Sequence, residues 1–348
     1  MFRSEDEPFG GFRDDADVHA AVVAGAGDPD LAVRRISVEI LADVAVPSTA
    51  AALVPRLADP DPAVRSAAIR GLVRAGPALD GIRPLLDDPD PGVRALAAGA
   101  LLPAVEAQHV IAAMLRDPRP AWRAAAVVAP GHASREPDTV AAGLADPEPS
   151  VRRAAAQAIA TVDRHTSVDS LVSALGDRDQ SVRDAASRAL GAIGLPAQDA
   201  LVRVLSDPDL QPGALAALVA IPGPPPAALQ TFARDQVELA RHYHRLWLDA
   251  RSGRDERMDL VAHGVRFRSL DHGIYALRAA SRLGDLEAMG VAIENLASRD
   301  AQQRANALET LDAVGQPEVV RPLLPLWDAA PGPRDGPGGG DHGAPARP

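Results

Sequence analysis

The sequence feature that most constrains the fold is a short phrase that returns at a nearly constant interval. Its copies read GDPDLAVRR, ADPDPAVRS, DDPDPGVRA, RDPRPAWRA, ADPEPSVRR and GDRDQSVRD, and successive copies are 31, 29, 29, 29 and 31 residues apart. The leading aspartates are Asp28, Asp59, Asp88, Asp117, Asp146 and Asp177, and the arginines that keep step with them are Arg34, Arg65, Arg94, Arg123, Arg152 and Arg183. A fixed period of this length predicts an array of similar supersecondary units.

Each period is predicted to form two helices. In the sixth copy, apolar residues follow helical spacing from Val168 to Leu175, the polar GDRDQ interrupts them, and a second stripe starts at Val182. Asp61 is predicted to cap the second helix of its repeat, with Pro62 at the first helical position, where its missing N–H costs nothing. Because one hairpin cannot bury its apolar stripe alone, stacked hairpins that form a solenoid are expected.

The phrases DPDPAVRSAA, DPDPGVRALAAGALL and DPEPSVRRAAAQAI resemble HEAT repeats of the short bacterial kind, which also occur in the phycobilisome lyase-like families. The resemblance covers the chain from Asp14 to Pro222. It implies an all-α fold, a right-handed α-solenoid of about seven HEAT-type hairpins. It also implies that the repeated aspartates and arginines form a structural polar ladder between neighbouring repeats.

The repeat is lost after Gly223, and four regions are predicted: a flexible N-terminus (1–13), the solenoid (14–222), a helical C-terminal cap (223–328) and a disordered Pro/Gly-rich tail (329–348). In the cap, a long helix and further paired helices are expected, and Arg304 echoes the repeat arginine. The cap resembles that of HEAT arrays fused to major-facilitator-like transporters. This resemblance implies an alternative function, a regulatory module that docks to a membrane protein.

The composition excludes several kinds of chemistry. All 36 basic residues are arginine and there is no cysteine, so phosphate-binding or Schiff-base lysines, thiol nucleophiles and zinc–thiolate sites are excluded. The net charge of −11 opposes nucleic-acid binding, which depends on phosphate neutralisation. We predict no catalytic residue, no cofactor and no metal. A lyase-type HEAT enzyme remains a second alternative, because such lyases often lack recognisable catalytic residues.

Two pairs, Glu238/His242 and Asp259/His263, have the spacing of neighbours on a helix face. They are interpreted as surface pairs rather than as metal ligands. The N-terminus is acidic and lacks the apolar core of a signal peptide, and no stretch reaches the roughly 18–20 apolar residues of a spanning helix. A cytoplasmic protein without direct membrane insertion is therefore expected.

Function is predicted to reside in the surface of the second helices, which line the concave face of a HEAT stack. A helix turns by 100° per residue, so the residues two and six positions after the repeat valine face outward. The residue five positions after the valine lies beside them. The middle of this groove is then small and apolar, and arginines form its polar rim. The predicted partner-binding residues are Arg70, Ala95, Ala98, Gly99, Ala124, Val127, Val128, Arg153 and Arg188. We expect a non-catalytic scaffold or adaptor that binds a protein partner there, although alanine is also simply a common helix former.

Trp122 replaces the repeat valine in the fourth copy. It is predicted to fill space that small alanines leave open. A kink that shapes the groove is the alternative interpretation.

Overall fold

The structure of the chain is a computed structural model that describes residues 16–76, 79–129, 137–159, 168–251 and 256–328. Within these ranges every regular element is a helix, so the prediction of an all-α solenoid is confirmed. No helix in the same ranges is both long and apolar enough to cross a membrane. The predicted flexible N-terminus and Pro/Gly-rich tail lie outside the described residues.

The chain divides into two compact units after Ala200. The first unit is built from pairs of helices that follow the sequence period. In chain order the pairs are α1 (Ala16–Gly25) with α2 (Leu31–Val44); α3 (Pro47–Leu53), continued by a 3₁₀ helix (Val54–Ala58), with α4 (Pro62–Ala75); a 3₁₀ helix (Leu79–Asp87) with α5 (Pro91–Ala100); α6 (Val105–Leu115) with α7 (Pro120–Val127); α8 (Pro137–Ala142), continued by a 3₁₀ helix (Gly143–Ala145), with α9 (Pro149–Ile159); and α10 (Val168–Ala174) with α11 (Gln180–Ile193).

The second helix of a repeat begins where the phrase places its second aspartate. The Asp61 carboxylate accepts hydrogen bonds of 3.1 Å from the backbone N–H groups of both Ala63 and Val64, and Pro62 follows the cap as predicted. Asp30 caps α2 with the same two bonds, and Asp90 and Asp179 each accept one backbone N–H bond at the start of α5 and α11. These side chains satisfy amide groups that a helix start leaves without a partner, so the phrase fixes the helix boundary.

The second helices stack on one another in an unbroken row, in which α2, α4, α5, α7, α9 and α11 each pack against the next. Leu41, Leu72 and Leu190 are completely buried along this row. Where α2 meets α4, a Cβ atom on Gly71 would lie 2.8 Å from the Ala42 Cα. The absence of a side chain at Gly71 therefore lets the two helices approach closely.

Helix α12 (Leu195–Arg203) contains the division between the units. The second unit continues with α13 (Gln211–Ala220), α14 (Ala227–Arg251), α15 (Glu256–Ser281), α16 (Leu286–Asn295), α17 (Ala301–Val314), α18 (Pro317–Val320) and α19 (Pro325–Asp328). The two long helices α14 and α15 form its central hairpin, as the sequence predicts for α14. The end of the solenoid at Pro222 stays a prediction. Helix α13, which precedes this residue, packs against α15 of the second unit.

Polar contacts join the two long helices of this hairpin. The Ser269 hydroxyl donates to the Ala240 carbonyl oxygen at 2.9 Å, and His272 Nδ1 lies 2.7 Å from Gln236 Oε1. Tyr243 stacks on the His272 ring. Burial lowers the pKa of His272, since the charged imidazolium would lose hydration there.

Candidate partner-binding surface and arginine ladder

The repeated arginines connect neighbouring repeats. Four of them lie at the start of a second helix and donate to the leading aspartate of the next repeat. The pairs, with their shortest N···O distances, are Arg34–Asp59 (3.0 Å), Arg65–Asp88 (2.8 Å), Arg123–Asp146 (2.8 Å) and Arg152–Asp177 (2.7 Å). In the last three pairs both carboxylate oxygens accept a bond from the guanidinium. A planar guanidinium suits this bidentate geometry, which a lysine cannot provide.

The same arginines also close the turn inside their own repeat. Arg65 Nη1 donates to the carbonyl oxygens of Asp59 at 2.8 Å and Pro60 at 3.0 Å. Arg304, outside the regular array, makes the equivalent bonds to Ser298 and Arg299 at 2.8 and 3.1 Å. One side chain therefore fixes the hairpin turn and the stacking of the next repeat together.

Burial makes these pairs sensitive to the loss of either partner. The Arg65 and Asp88 side chains are only 10% and 4% exposed. The hydrogen bonds from Arg123 and Arg152 lower the pKa values of Asp146 and Asp177, although burial opposes this shift. The ladder is thus a set of charged groups that are desolvated and held in place by mutual hydrogen bonds.

The ladder changes at the fourth repeat. Arg94 Nε donates to the Asp88 carbonyl oxygen at 2.9 Å, and its guanidinium lies 4.7 Å from the centre of the Trp122 ring. The Arg119 guanidinium lies 4.1 Å from the centre of the same ring. It also donates two hydrogen bonds to the Asp117 carboxylate, at 2.9 and 2.8 Å. The Arg119 hydrogen bonds lower the pKa of Asp117 to about 2. Two cation–π contacts to Trp122 thus occupy the place of an arginine–aspartate pair.

At the two ends of the array, the predicted ladder residues make contacts within their own repeat. The Asp28 carboxylate accepts from the Asp30 backbone N–H at 2.8 Å, and its carbonyl oxygen accepts from Arg34 at 3.0 Å. Arg183 Nη1 donates to the Asp177 carbonyl oxygen at 2.7 Å.

The prediction that the middle of the groove is an open apolar surface is wrong for three residues. Ala95, Ala98 and Val127 are buried, with exposed fractions of 3%, 0% and 2%. Helical rotation alone assigns each second helix a single covered side. A helix inside the row is covered by the second helices before and after it and by its own hairpin partner, which hides a wider arc. Gly99 and Ala124 are half-buried, and Val128 is 47% exposed.

The three predicted rim arginines differ in their surroundings. Arg70 on α4 donates to Glu39 on α2 at 2.6 Å, so its charge is neutralised within the stack. Arg153 on α9 and Arg188 on α11 are exposed. Of the predicted partner-binding residues, Val128, Arg153 and Arg188 are therefore the exposed ones.

Sequence reasoning missed a second row of ion pairs between α2 and α4. In addition to Arg70–Glu39, Arg74 pairs with Asp43 at 3.1 Å. In both cases the partners are 31 residues apart, which is the period of these two repeats. Opposite charges at equivalent positions of consecutive repeats are the signal that identifies them.

The described residues contain no group of three or more histidine, cysteine or acidic side chains placed to hold a metal ion. Glu238, considered above with His242, lies 3.4 Å from Arg241 instead. The predicted binding surface on the stacked helices presents charged side chains and small apolar side chains.

The chain matches a family model for HEAT repeats over residues 19–102, 50–129 and 137–222. No curated protein matched it. Among solved structures, the complex of CpcE and CpcF of phycocyanin lyase from Nostoc sp. PCC7120 is 24% identical, covering 63% of this chain and 91% of that chain, with a TM-score of 0.39. YibA from E. coli is 15% identical over 90% of this chain and 99% of its own, with a TM-score of 0.34. An engineered protein is 18% identical over 84% and 97%, with a TM-score of 0.30.

Proposed function

We propose that this chain, which belongs to the HEAT-repeat family, is a non-catalytic scaffold that binds a protein partner through the outer surface of its stacked second helices. The observation that supports this function most directly is the unbroken row from α2 to α11, whose members each pack on the next. The ladder joins four of the five neighbouring pairs in this row. Side chains on successive repeats therefore form one extended surface, which suits the recognition of another protein.

The proposed contact lies at the α7–α11 end of the row. Near α2 and α4, the outward charges are paired with one another across the repeats. Further along, Arg153 and Gln157 on α9 and Arg188 on α11 are exposed, and Val128 supplies an exposed apolar group. An apolar contact surrounded by polar side chains is the usual composition of a protein interface.

The nature of the partner follows from the charge of the chain. With a net charge of −11, the chain would repel the phosphates of a nucleic acid, so a protein is the better partner. The proposal includes a cytoplasmic location, with which the absence of cysteine agrees.

The test is affinity capture from native lysate with the full chain as bait, quantified by mass spectrometry. The triple variant Val128→Glu/Arg153→Glu/Arg188→Glu changes the proposed contact. A matched control, Val105→Glu/Arg116→Glu/Arg178→Glu, makes the same replacements at exposed positions on α6 and in the turns after α6 and α10. We expect a protein that the wild type and the control retain and the first variant loses. Equal capture by all three baits would reject this surface as the binding site.

A further inference from the structure

The second unit contains a groove between α16 and α17 that the repeat array does not include. Its volume is about 580 Å³. The small side chains Ala288, Ala292 and Ala307 form its floor together with Val291, which is 58% exposed. A floor of small side chains allows another backbone to approach closely.

The charge of the groove has one sign. Asp285 and Glu287 lie at one end, and no arginine is among the residues that line it. Residues 285–314, which form the two helices and their connection, contain six acidic residues and two arginines. One of these arginines, Arg304, is directed to backbone carbonyl oxygens of its own turn. Asp285 also caps α16, with one carboxylate oxygen accepting from the Ala288 backbone N–H at 3.0 Å. The groove therefore presents acidic side chains at this end without an arginine in its lining.

The opposite end carries amide side chains. Asn295, Gln303 and Asn306 line this part of the groove, and some of their groups are already bonded to the protein: Ser298 donates to Gln303, and Gln302 donates to Asn306. The groove is thus apolar along its floor, acidic at one end and neutral and polar at the other.

We propose that this groove binds an amphipathic helix of a partner protein, with its apolar stripe on the alanine–valine floor and arginine or lysine residues beside Asp285 and Glu287. A helix fits because α16 and α17 provide apolar residues at one-turn spacing, namely 288, 292 and 307 with 291, against which a helical stripe packs. The positive charge of the occupant follows from the acidic end. This site belongs to the second unit, and its test does not depend on the surface proposed above.

The probe is a phage-displayed library of random peptides about 14 residues long, the length of α17. The library is selected on the full chain, and phage that also bind the Val291→Glu variant are removed. The winning peptides are synthesised with a fluorescent label, and their Kd values are measured by anisotropy. We expect apolar residues at helical spacing with arginine or lysine towards one end.

Two pairs of variants test the location. Glu287→Arg reverses a charge inside the groove, and Glu294→Arg makes the same change at an exposed site on α16 outside it. Val291→Glu is matched by Val73→Glu, which changes an exposed valine on α4 of the first unit. We expect the groove variants to weaken binding about tenfold or more and the controls to leave it within about twofold. The proposal would be overturned if no peptide were enriched, or if the enriched peptides were acidic or had apolar residues at every second position. Equal losses of binding in the control variants would overturn it as well.

Discussion

Replacement of Arg65 by methionine tests whether the ladder holds the repeats together. Methionine keeps much of the apolar stem but removes four hydrogen bonds, two to the Asp88 carboxylate and two to the carbonyl oxygens of Asp59 and Pro60. Asp88 then retains its bond from the Asp90 backbone N–H and becomes a nearly buried carboxylate without a counter-ion. The removal of one partner of a buried pair costs about 3–5 kcal/mol. Because Arg65 is 10% exposed, we expect the lower end, about 3 kcal/mol.

The assay is hydrogen exchange measured by mass spectrometry, which reports the free energy of local opening for individual helices. At 1.4 kcal/mol for each factor of ten, the expected loss accelerates exchange in α4 and α5 on the order of 100-fold. Exchange in α14 and α15, which lie in the other unit, should not change. The double variant Arg65→Met/Asp88→Asn should recover part of the loss, since it removes the stranded charge while an amide oxygen still accepts from Asp90.

The chain offers a closely matched control in Arg83→Met. The Arg83–Glu106 pair has nearly the same distance, 2.9 Å, and the same sequence separation of 23 residues as Arg65–Asp88, but its side chains are 53% and 60% exposed. An exposed pair contributes about 0–1 kcal/mol, so exchange should change by less than about fivefold. Equal effects of the two substitutions would refute the reasoning, because burial would then make no difference to the ladder.

Three further predictions concern the packing and charges of individual side chains. Trp122→Ala should leave a cavity in place of the buried ring that Arg94 and Arg119 contact, and it should lower the free energy of unfolding by about 3–5 kcal/mol, measured by urea denaturation. Trp122→Phe should lower it much less. Gly71→Ala should lower the same quantity by about 1–3 kcal/mol because its Cβ would meet the Ala42 backbone, while Gly264→Ala, with open space around it, should raise it by up to about 1 kcal/mol. The pKa of Asp117, about 2 in the folded chain and about 3.9 when unfolded, makes this carboxylate stabilising above pH 4, and the stabilisation should disappear as the pH falls towards 2. Carboxyl-carbon NMR should show the Asp117 pKa rising in Arg119→Gln, and an unchanged value would contradict the assigned cause.

The sequence alone could predict the features that depend on local spacing. The period, the two helices per repeat and the caps at Asp61 and its equivalents are all set by residues a few positions apart, and the structure contains them. The change at the fourth repeat was visible in the same way. The phrase RDPRPAW replaces the capping aspartate with Arg119 and the valine with Trp122, and these two residues meet in the structure.

Features that depend on the number of neighbouring helices could not be predicted in this way. Ala98 and Val127 stand at an angle that would be open on a helix with a single covered side, but their helices are enclosed by neighbours in the row. The groove between α16 and α17 lies outside the regular repeats, where no period indicates which faces meet. The direction of a side chain on one helix can be calculated from the helical rotation per residue. Its exposure depends on all the helices that pack around that helix.

The repetition within the chain itself separates structural from variable positions. The ladder aspartate and arginine recur in six copies, and four of the arginines join the turn of their own repeat to the aspartate of the next. The outward residue two positions after the repeat valine is not part of the ladder, although Arg35 pairs with the capping Asp61 of the next repeat. Across the copies this residue is Arg35, Ser66, Ala95, Ala124, Arg153 and Asp184. Of these, Arg153 and Asp184 remain exposed at the α9–α11 end, whereas Ala95 is buried. The ladder thus fixes the spacing of the stack, and the charge and shape of its outer surface can differ from one repeat to the next. For this reason a partner specific to this chain is expected to contact the variable positions, and substitutions in the ladder should alter binding only as far as they unfold the stack.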